Sequence, residues 1–203
     1  IPLYNEAENV NQLNLELLRA LKDVKNISHE FEIIYVDDGS TDGSNNILKN
    51  IDGIELIAHE INLGKGSAVQ SAMPHIKGEF VVLQDGDLEY NPSDYEKMLT
   101  LLVTDRADVV NGSWWLEKTS SLSYHTIGNR FITWLANRVT GASFTDMASC
   151  YKMMSTKIFR SLNITSKGFG LEAETTAKVF RRKLRVIEIP ISYERHSKYQ
   201  GKK

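Results

Sequence analysis

Phe31-Glu-Ile-Ile-Tyr-Val-Asp-Asp-Gly-Ser40 (FEIIYVDDGS) runs from apolar, strand-forming residues straight into two adjacent carboxylates and a glycine. Residues 31–38 read as a short buried strand that Asp-Asp-Gly-Ser stops. The pattern returns in EFVVLQD (79–85), where the strand runs into Asp85, Asp87 and Glu89 at alternate positions. IELIAH (54–59), ADVVNGS (107–113) and RVIEIPIS (185–192) read as further strands. Between them, helical spacing marks Val10, Leu13, Leu17, Leu18 and Leu21, and helices are expected over 42–49, 66–75, 92–103 and 172–183. Residues 121–138 also read as helical, with Phe131, Leu135 and Val139 on one packing stripe. Short apolar strands alternating with amphipathic helices predict an α/β fold, a largely parallel sheet covered on both faces. The absence of a linker-like stretch makes one domain the expectation, and 203 residues with 41% hydrophobic content suit one core.

Charge is uneven along the chain. Residues 178–203 hold nine lysines and arginines against Glu188 and Glu194, so the rest of the chain is acidic. A basic tail on an acidic body suits phosphates or an anionic membrane surface, and equally a solvated helix end. One cysteine, Cys150, excludes an internal disulfide and fits a reducing compartment. No apolar run approaches the roughly 20 residues that cross a bilayer. The start at Ile1-Pro-Leu-Tyr and the lysine-rich end read as a fragment with its first strand clipped and a C-terminal continuation missing.

In parallel α/β sheets, ligands bind outside the carboxyl ends of the strands. Three polar clusters are expected there: Pro2-Leu-Tyr-Asn-Glu6, Asp37-Asp-Gly-Ser-Thr-Asp-Gly43, and the Asp85/Asp87/Glu89 group. Gathered carboxylates repel one another unless a cation or water screens them. Ser40, Thr41 or Asp42 could cap the next helix, which leaves the Asp37–Asp38 pair unexplained. Asn62-Leu-Gly-Lys-Gly66 sets Lys65 between glycines ahead of a helix, a candidate phosphate contact. Neither a Walker loop nor a GxGxxG fingerprint is present, which counts against an ATPase or a dinucleotide oxidoreductase.

PLYNE, VDDGSTDGS, NLGKGSA and QDGD, in this order and spacing, resemble family 2 glycosyltransferases of the GT-A fold. TDMASCYK (145–152), GFGLEAE (168–174) and IPISYERHSKYQGKK (189–203) narrow the likeness to the branch of dolichyl-phosphate mannosyltransferase and bacterial polyprenyl-phosphate glycosyltransferases. The resemblance implies a Rossmann-like, three-layer GT-A domain with a central, mostly parallel sheet. It further implies an inverting, metal-dependent transfer of a hexose from a nucleotide sugar (UDP- or GDP-linked) to a polyprenyl phosphate. Such a reaction places the protein in peripheral contact with the cytoplasmic, inner face of the membrane, without a nucleic-acid partner and with room for a homo-oligomer.

Carried over residue by residue, Pro2, Tyr4 and Glu6 would line the nucleoside pocket, and Val36 and Asp38 would hold base or ribose. Lys65, Gln84, Asp85, Arg195 and Lys202 join them on the donor side. Asp85, Asp87 and Glu89 would face Mg²⁺ or Mn²⁺, hard cations that suit carboxylate oxygens and neutralise a departing diphosphate. Asp87 is thereby a catalytic candidate. A lipid phosphate is already ionised and needs no strong base; a saccharide hydroxyl would need one, with Asp146 first and Glu172 or Glu174 second. Capping and helix-dipole roles compete for these three acids. Two departures stand out. Trp114 follows Gly112-Ser113 where relatives often carry arginine, and His196 falls where they place one near the end, with Arg195 beside it. The alternatives that remain are transfer to a saccharide hydroxyl in cell-envelope polymer synthesis and an idle nucleotide-binding scaffold.

Overall fold

The computed structural model describes residues 1–25, 27, 30–116, 133–134, 137–138, 144–146 and 149–191. Among the described residues, seven strands form two sheets. The first is wholly parallel, β1 (Pro2–Leu3), β2 (Ile34–Asp37) and β3 (Glu55–Ala58) in that order, with Pro2 opposite Val36 and Val36 opposite Ile57. The second has the order β4 (Phe80–Val82), β6 (Lys152–Ser155), β5 (Val109–Ser113), β7 (Val186–Pro190). There β6 runs antiparallel to both neighbours, while β5 and β7 are parallel.

Each connection follows from its sequence. α1 (Val10–Val24) buries Val10, Leu13, Leu17, Ala20 and Val24 at spacings of three and four, the stripe of a one-sided helix. Leu18, expected on that stripe, is exposed. α2 (Ser44–Leu48) is shorter than the sequence suggests. α3 (Lys65–Ala72) passes into a 3₁₀ turn at Met73–His75, where Pro74 cannot continue the ladder. α4 (Tyr95–Val103) follows a 3₁₀ turn at Pro92–Asp94 whose first amide is capped by Asn91. α1 packs on α4, and α3 lies on β1 and β2.

β6 and α5 (Thr156–Leu162) were not expected. The strand is only four residues long, starts at a buried lysine and ends at Ser155, which caps α5 through the Ile158 N–H. An apolar cavity of about 320 Å³ is lined by residues of both sheets, Ile34, Val36, Val81 and Leu83 among them, and by Val69 of α3. The Ile1 amine is buried there, donates to the Ile34 carbonyl at 2.8 Å and is pushed down to about 5 by burial. Of the expected 121–138 helix, the described residues 133–134 and 137–138 are helical, while Phe131, Leu135 and Val139 lie outside the described residues. Among the described residues, no helix is long and apolar enough to cross a membrane.

Candidate active site

The polar clusters do gather at the strand ends. Stitching between the first two is dense. The Asn5 amide donates to Ser40 Oγ, Thr41 N–H donates to Asn5 Oδ1, Glu6 N–H reaches Ser44 Oγ at 3.0 Å, and Ala7 N–H reaches Asp42 Oδ2 at 2.9 Å. Asp42 also accepts both the Ser44 amide and hydroxyl, and these bonds hold its carboxyl below the usual range despite some burial. None of Ser40, Thr41 and Asp42 is the N-cap of α2; Gly43 is. Asp37 is a turn organiser, accepting Ser40 N–H and the Asn45 side chain.

The third cluster meets the first at Gly86, where a Cβ would lie 3.5 Å from the Leu3 side chain and 3.6 Å from that of Glu6. Its decisive contact comes from elsewhere. Lys65, the first residue of α3, places Nζ 2.6 Å from Asp85 Oδ1 and 2.8 Å from Glu172 Oε1. Glu172 lies in the first turn of α6 (Leu171–Arg181). All three side chains are 12–18% exposed. Burial opposes the Lys65 charge, but Cys150, Asp85 and Glu172 outweigh it and hold the ammonium well above the ordinary lysine value. Beneath the triad the buried Cys150 thiol is pushed up, first by desolvation and then by Asp85. The approach of α3 to the loop before α6 is very close: a Cβ on Gly66 would lie 2.0 Å from the Ser166 carbonyl oxygen. Ser67 N–H donates to Lys167 O at 2.9 Å across the same seam.

The carboxylates expected to share a cation do not form a ready-made cage. Among the described residues, no three acidic, histidine or cysteine side chains are arranged to enclose a metal. The strand ends at Val82, so positions 85, 87 and 89 are no longer in an extended alternation. Leu88 takes φ of +61°, a left-handed conformation costly for a branched residue, and Asp87 Oδ1 accepts the Glu89 amide across that turn. Glu89 is buried, while Asp87 is half-buried. Hard oxygens on Asp85 and Asp87 do fit a divalent ion, provided a ligand such as a diphosphate contributes the remaining oxygens.

Most donor-side candidates are also built into the scaffold. Gln84 is 1% exposed and fully occupied: its amide donates to Tyr90 O, and Tyr95 O–H donates to its carbonyl. It braces the acidic turn from inside. Pro2 and Val36 are buried cross-strand partners facing the interior cavity, so they carry the loops above them. Asp38 is 3% exposed and bonded to the 59–64 loop. Tyr4 is exposed at the rim, and Glu6 accepts the Asn9 side chain at 2.6 Å. Trp114 and Trp115 pack against each other at a tilt of 34°, ring centroids 4.1 Å apart, just beyond β5. Arg195, His196 and Lys202 lie outside the described residues.

Asp146 is buried and held by a clamp that sequence reading missed. Glu188 on β7 accepts the Thr145 and Asp146 amides, and Asn111 on β5 donates to both Glu188 and the Asp146 carbonyl. The signal was available, since Asn111 and Glu188 are the polar interruptions of two apolar strands. Lys152, also buried, donates to the Ser149 carbonyl and is pushed down by desolvation.

Glu174 is a loop anchor. It accepts the Thr165 and Ser166 amides, the Thr165 hydroxyl and the Lys178 ammonium. Burial works against its charge, but Lys178 and Ser166 hold its carboxyl far below the model-compound value of 4.5. A depressed carboxyl contributes stability above its unfolded pKa and loses it as pH falls through the folded one. Glu174→Gln is therefore expected to be less stable than wild type at pH 7, with the gap shrinking below about pH 4.5 in urea titrations. A gap independent of pH would remove the charge from the explanation.

Comparison with known proteins agrees with this geometry. A family model described as glycosyl transferase family 2 matches residues 1–162. A glycosyltransferase of Haloferax volcanii, AglJ, is 27% identical over 194 residues, covering 95% of this chain and 61% of that protein. An undecaprenyl-phosphate 4-deoxy-4-formamido-L-arabinose transferase of Proteus mirabilis is 32% identical over 157 residues, covering 72% and 44%. Glucosyl-3-phosphoglycerate synthase from Mycobacterium tuberculosis, solved with Mn²⁺, UDP and glucosyl-3-phosphoglycerate, superposes with a TM-score of 0.72 at 17% identity, over 97% of this chain and 71% of that one. This last likeness establishes the GT-A fold. In this chain the strands of that fold end in stitched acidic loops, with a lysine drawn onto the first aspartate of QDGD. The chain belongs to glycosyl transferase family 2. It spans about half the length of the curated relatives it matches.

Proposed function

We propose that this chain is the catalytic domain of an inverting hexosyltransferase that moves a sugar from a nucleoside diphosphate to a polyprenyl phosphate. The observation that carries the donor half is the Lys65 ammonium held between Asp85 and Glu172 at the strand ends, with Asp87 on the adjoining turn. A fixed, always-charged ammonium in a partly dry site suits a diphosphate, whose negative charge grows as the glycosidic bond breaks. The acceptor half is supported by relatives named for transfer to undecaprenyl phosphate or dodecaprenyl phosphate.

In the reaction, a phosphate oxygen of the acceptor attacks the anomeric carbon on the face opposite the leaving group. The new carbon–oxygen bond forms as the bond to the nucleoside diphosphate breaks, which inverts the configuration. The nucleophile is already ionised, so no proton transfer is required. Lys65 orients the diphosphate and balances its charge, and the buried Asp85–Glu172 pair keeps Lys65 protonated. A Mg²⁺ or Mn²⁺ ion, held by Asp85 and Asp87 with Glu89 behind them, would supply further positive charge to the leaving group. Arg195 and Lys202 are assigned to acceptor or donor phosphates on charge alone. Phe169, 88% exposed three residues before Glu172, is the described side chain best suited to meet an apolar lipid or the membrane's inner surface.

Transfer to a saccharide hydroxyl is the second reading, favoured by the clamp that fixes Asp146 as a would-be base. Incubation with UDP- and GDP-hexoses, Mn²⁺ and undecaprenyl phosphate separates the two. A glycolipid cleaved by mild acid is expected; an acid-stable glycoside formed only with saccharide acceptors would replace the first reading with the second. Donor turnover in neither assay would leave a binding scaffold.

A further inference from the structure

Three side chains outside the ion triad form a chain of short contacts beneath it. His59 Nδ1 lies 2.6 Å from Asp38 Oδ1, and His59 Nε2 lies 2.8 Å from Ser71 Oγ. The His59 side chain is only 9% exposed and that of Asp38 only 4%. His59 follows β3 and its amide donates to the Asp37 carbonyl, while Ser71 sits on the last turn of α3. A carboxylate can only accept, so Nδ1 carries a proton; Nε2 accepts from the Ser71 hydroxyl in the neutral ring and donates to it in the charged one.

The order of atoms is that of a serine hydrolase triad, but the setting is wrong for one. The Ser71 hydroxyl is at the end of a helix whose amides are spent on its own ladder, leaving no donors beside it for an oxyanion. The far end of the chain is more informative. Asp38 also accepts the Leu63 amide at 2.9 Å and the Gly64 amide at 2.7 Å. These two residues immediately precede Lys65. Gly39 makes the contact feasible, since a Cβ there would lie 2.4 Å from the Ile61 carbonyl carbon.

We infer that His59 and Ser71 are positioning residues of the donor site: they hold the Asp38 carboxylate against the Leu63 and Gly64 amides, and so fix where α3 starts and where Lys65 points. Asp38 thereby also shapes the loop that carries Lys65. The inference rests on the donor-site reading of Lys65, and its test has one arm independent of any nucleotide.

That arm is the pair of Leu63 and Gly64 amide resonances in ¹⁵N-correlated NMR spectra, which report bonding to a carboxylate. His59→Leu is expected to shift both. His59→Asn, whose side-chain N–H can stand in for Nδ1–H, is expected to restore them. Ser71→Ala, which frees the ring without adding a buried apolar group, is expected to shift them in the same direction by less. The second arm is calorimetric binding of UDP and of GDP with Mn²⁺, with about five- to tenfold weaker binding in His59→Leu, as loss of one hydrogen bond implies, and recovery in His59→Asn. Unmoved amides in His59→Leu, or in Ser71→Ala should the first variant not fold, would overturn the inference, as would an Asn variant no better than Leu. If the wild type binds neither nucleotide, the donor reading falls and the amide arm alone decides the positioning role.

Discussion

Asp87→Ala is expected to lower sugar transfer by on the order of a hundredfold or more, the scale seen when one charge-stabilising contact to a transition state is removed. Its melting temperature should stay close to that of wild type. Asp87 is half-buried on the turn after β4 and accepts the Glu89 amide at 3.2 Å. Losing that bond costs about 1 kcal/mol or less in a segment open to water. Chelation of divalent ions with EDTA should reproduce the loss in the wild-type protein, and excess Mn²⁺ should reverse it there but not in the variant. A folded Asp87→Ala protein with full activity, or wild-type turnover in EDTA, would remove the metal from the reaction.

Lys65→Met is expected to damage both stability and activity. It leaves Asp85 and Glu172, each within 2.8 Å of the missing nitrogen, facing one another around an empty centre. Breaking a fully buried pair costs about 3–5 kcal/mol. Partial exposure lets water screen the remaining charges, so a loss of about 2 kcal/mol is the expectation here. The charge explanation carries a signature. Two facing carboxylates relax when one takes up a proton, so the deficit of the variant should narrow between pH 7 and pH 5 in urea denaturation. Lys65→Arg, which keeps the charge, should recover most of the stability. An equal deficit at both pH values would point to lost packing of the lysine stem.

Much of this was legible before any coordinates. Apolar runs that stop at Asp37, Asp38 and Asp85 mark both the strands and the side of the sheet where polar groups collect, because burial periodicity and strand termination are local properties. Partners distant in the chain were another matter. Lys65 was read as a phosphate contact, but its capture by Asp85 and Glu172 joins three separate segments, and no periodicity encodes such a meeting. Gln84 shows the opposite error. Its place beside the acidic turn suggests a ligand contact, yet Tyr90 and Tyr95 consume it from inside. β6 escaped notice because it is short and carries the buried Lys152 in its first position, a residue that ordinarily argues against a core strand. The alternate spacing of Asp85, Asp87 and Glu89 misled for a related reason: spacing predicts facing only while the backbone remains extended, and Leu88 does not.

The seam at Gly66 bears on how the protein tolerates change. On one side lies a glycine hydrogen, on the other the Ser166 carbonyl oxygen and the backbone of Lys167. Contact of this kind senses the path of the second chain but not its side chains. Substitutions at the exposed Lys167 that keep the backbone in place are therefore free to vary in size and charge, whereas a single methyl at Gly66 would wedge α3 away from the loop leading to Glu172. The two flanks of one interface thus stand at opposite ends of the mutational scale, and a library randomised across both should lose transfer activity almost entirely through one position.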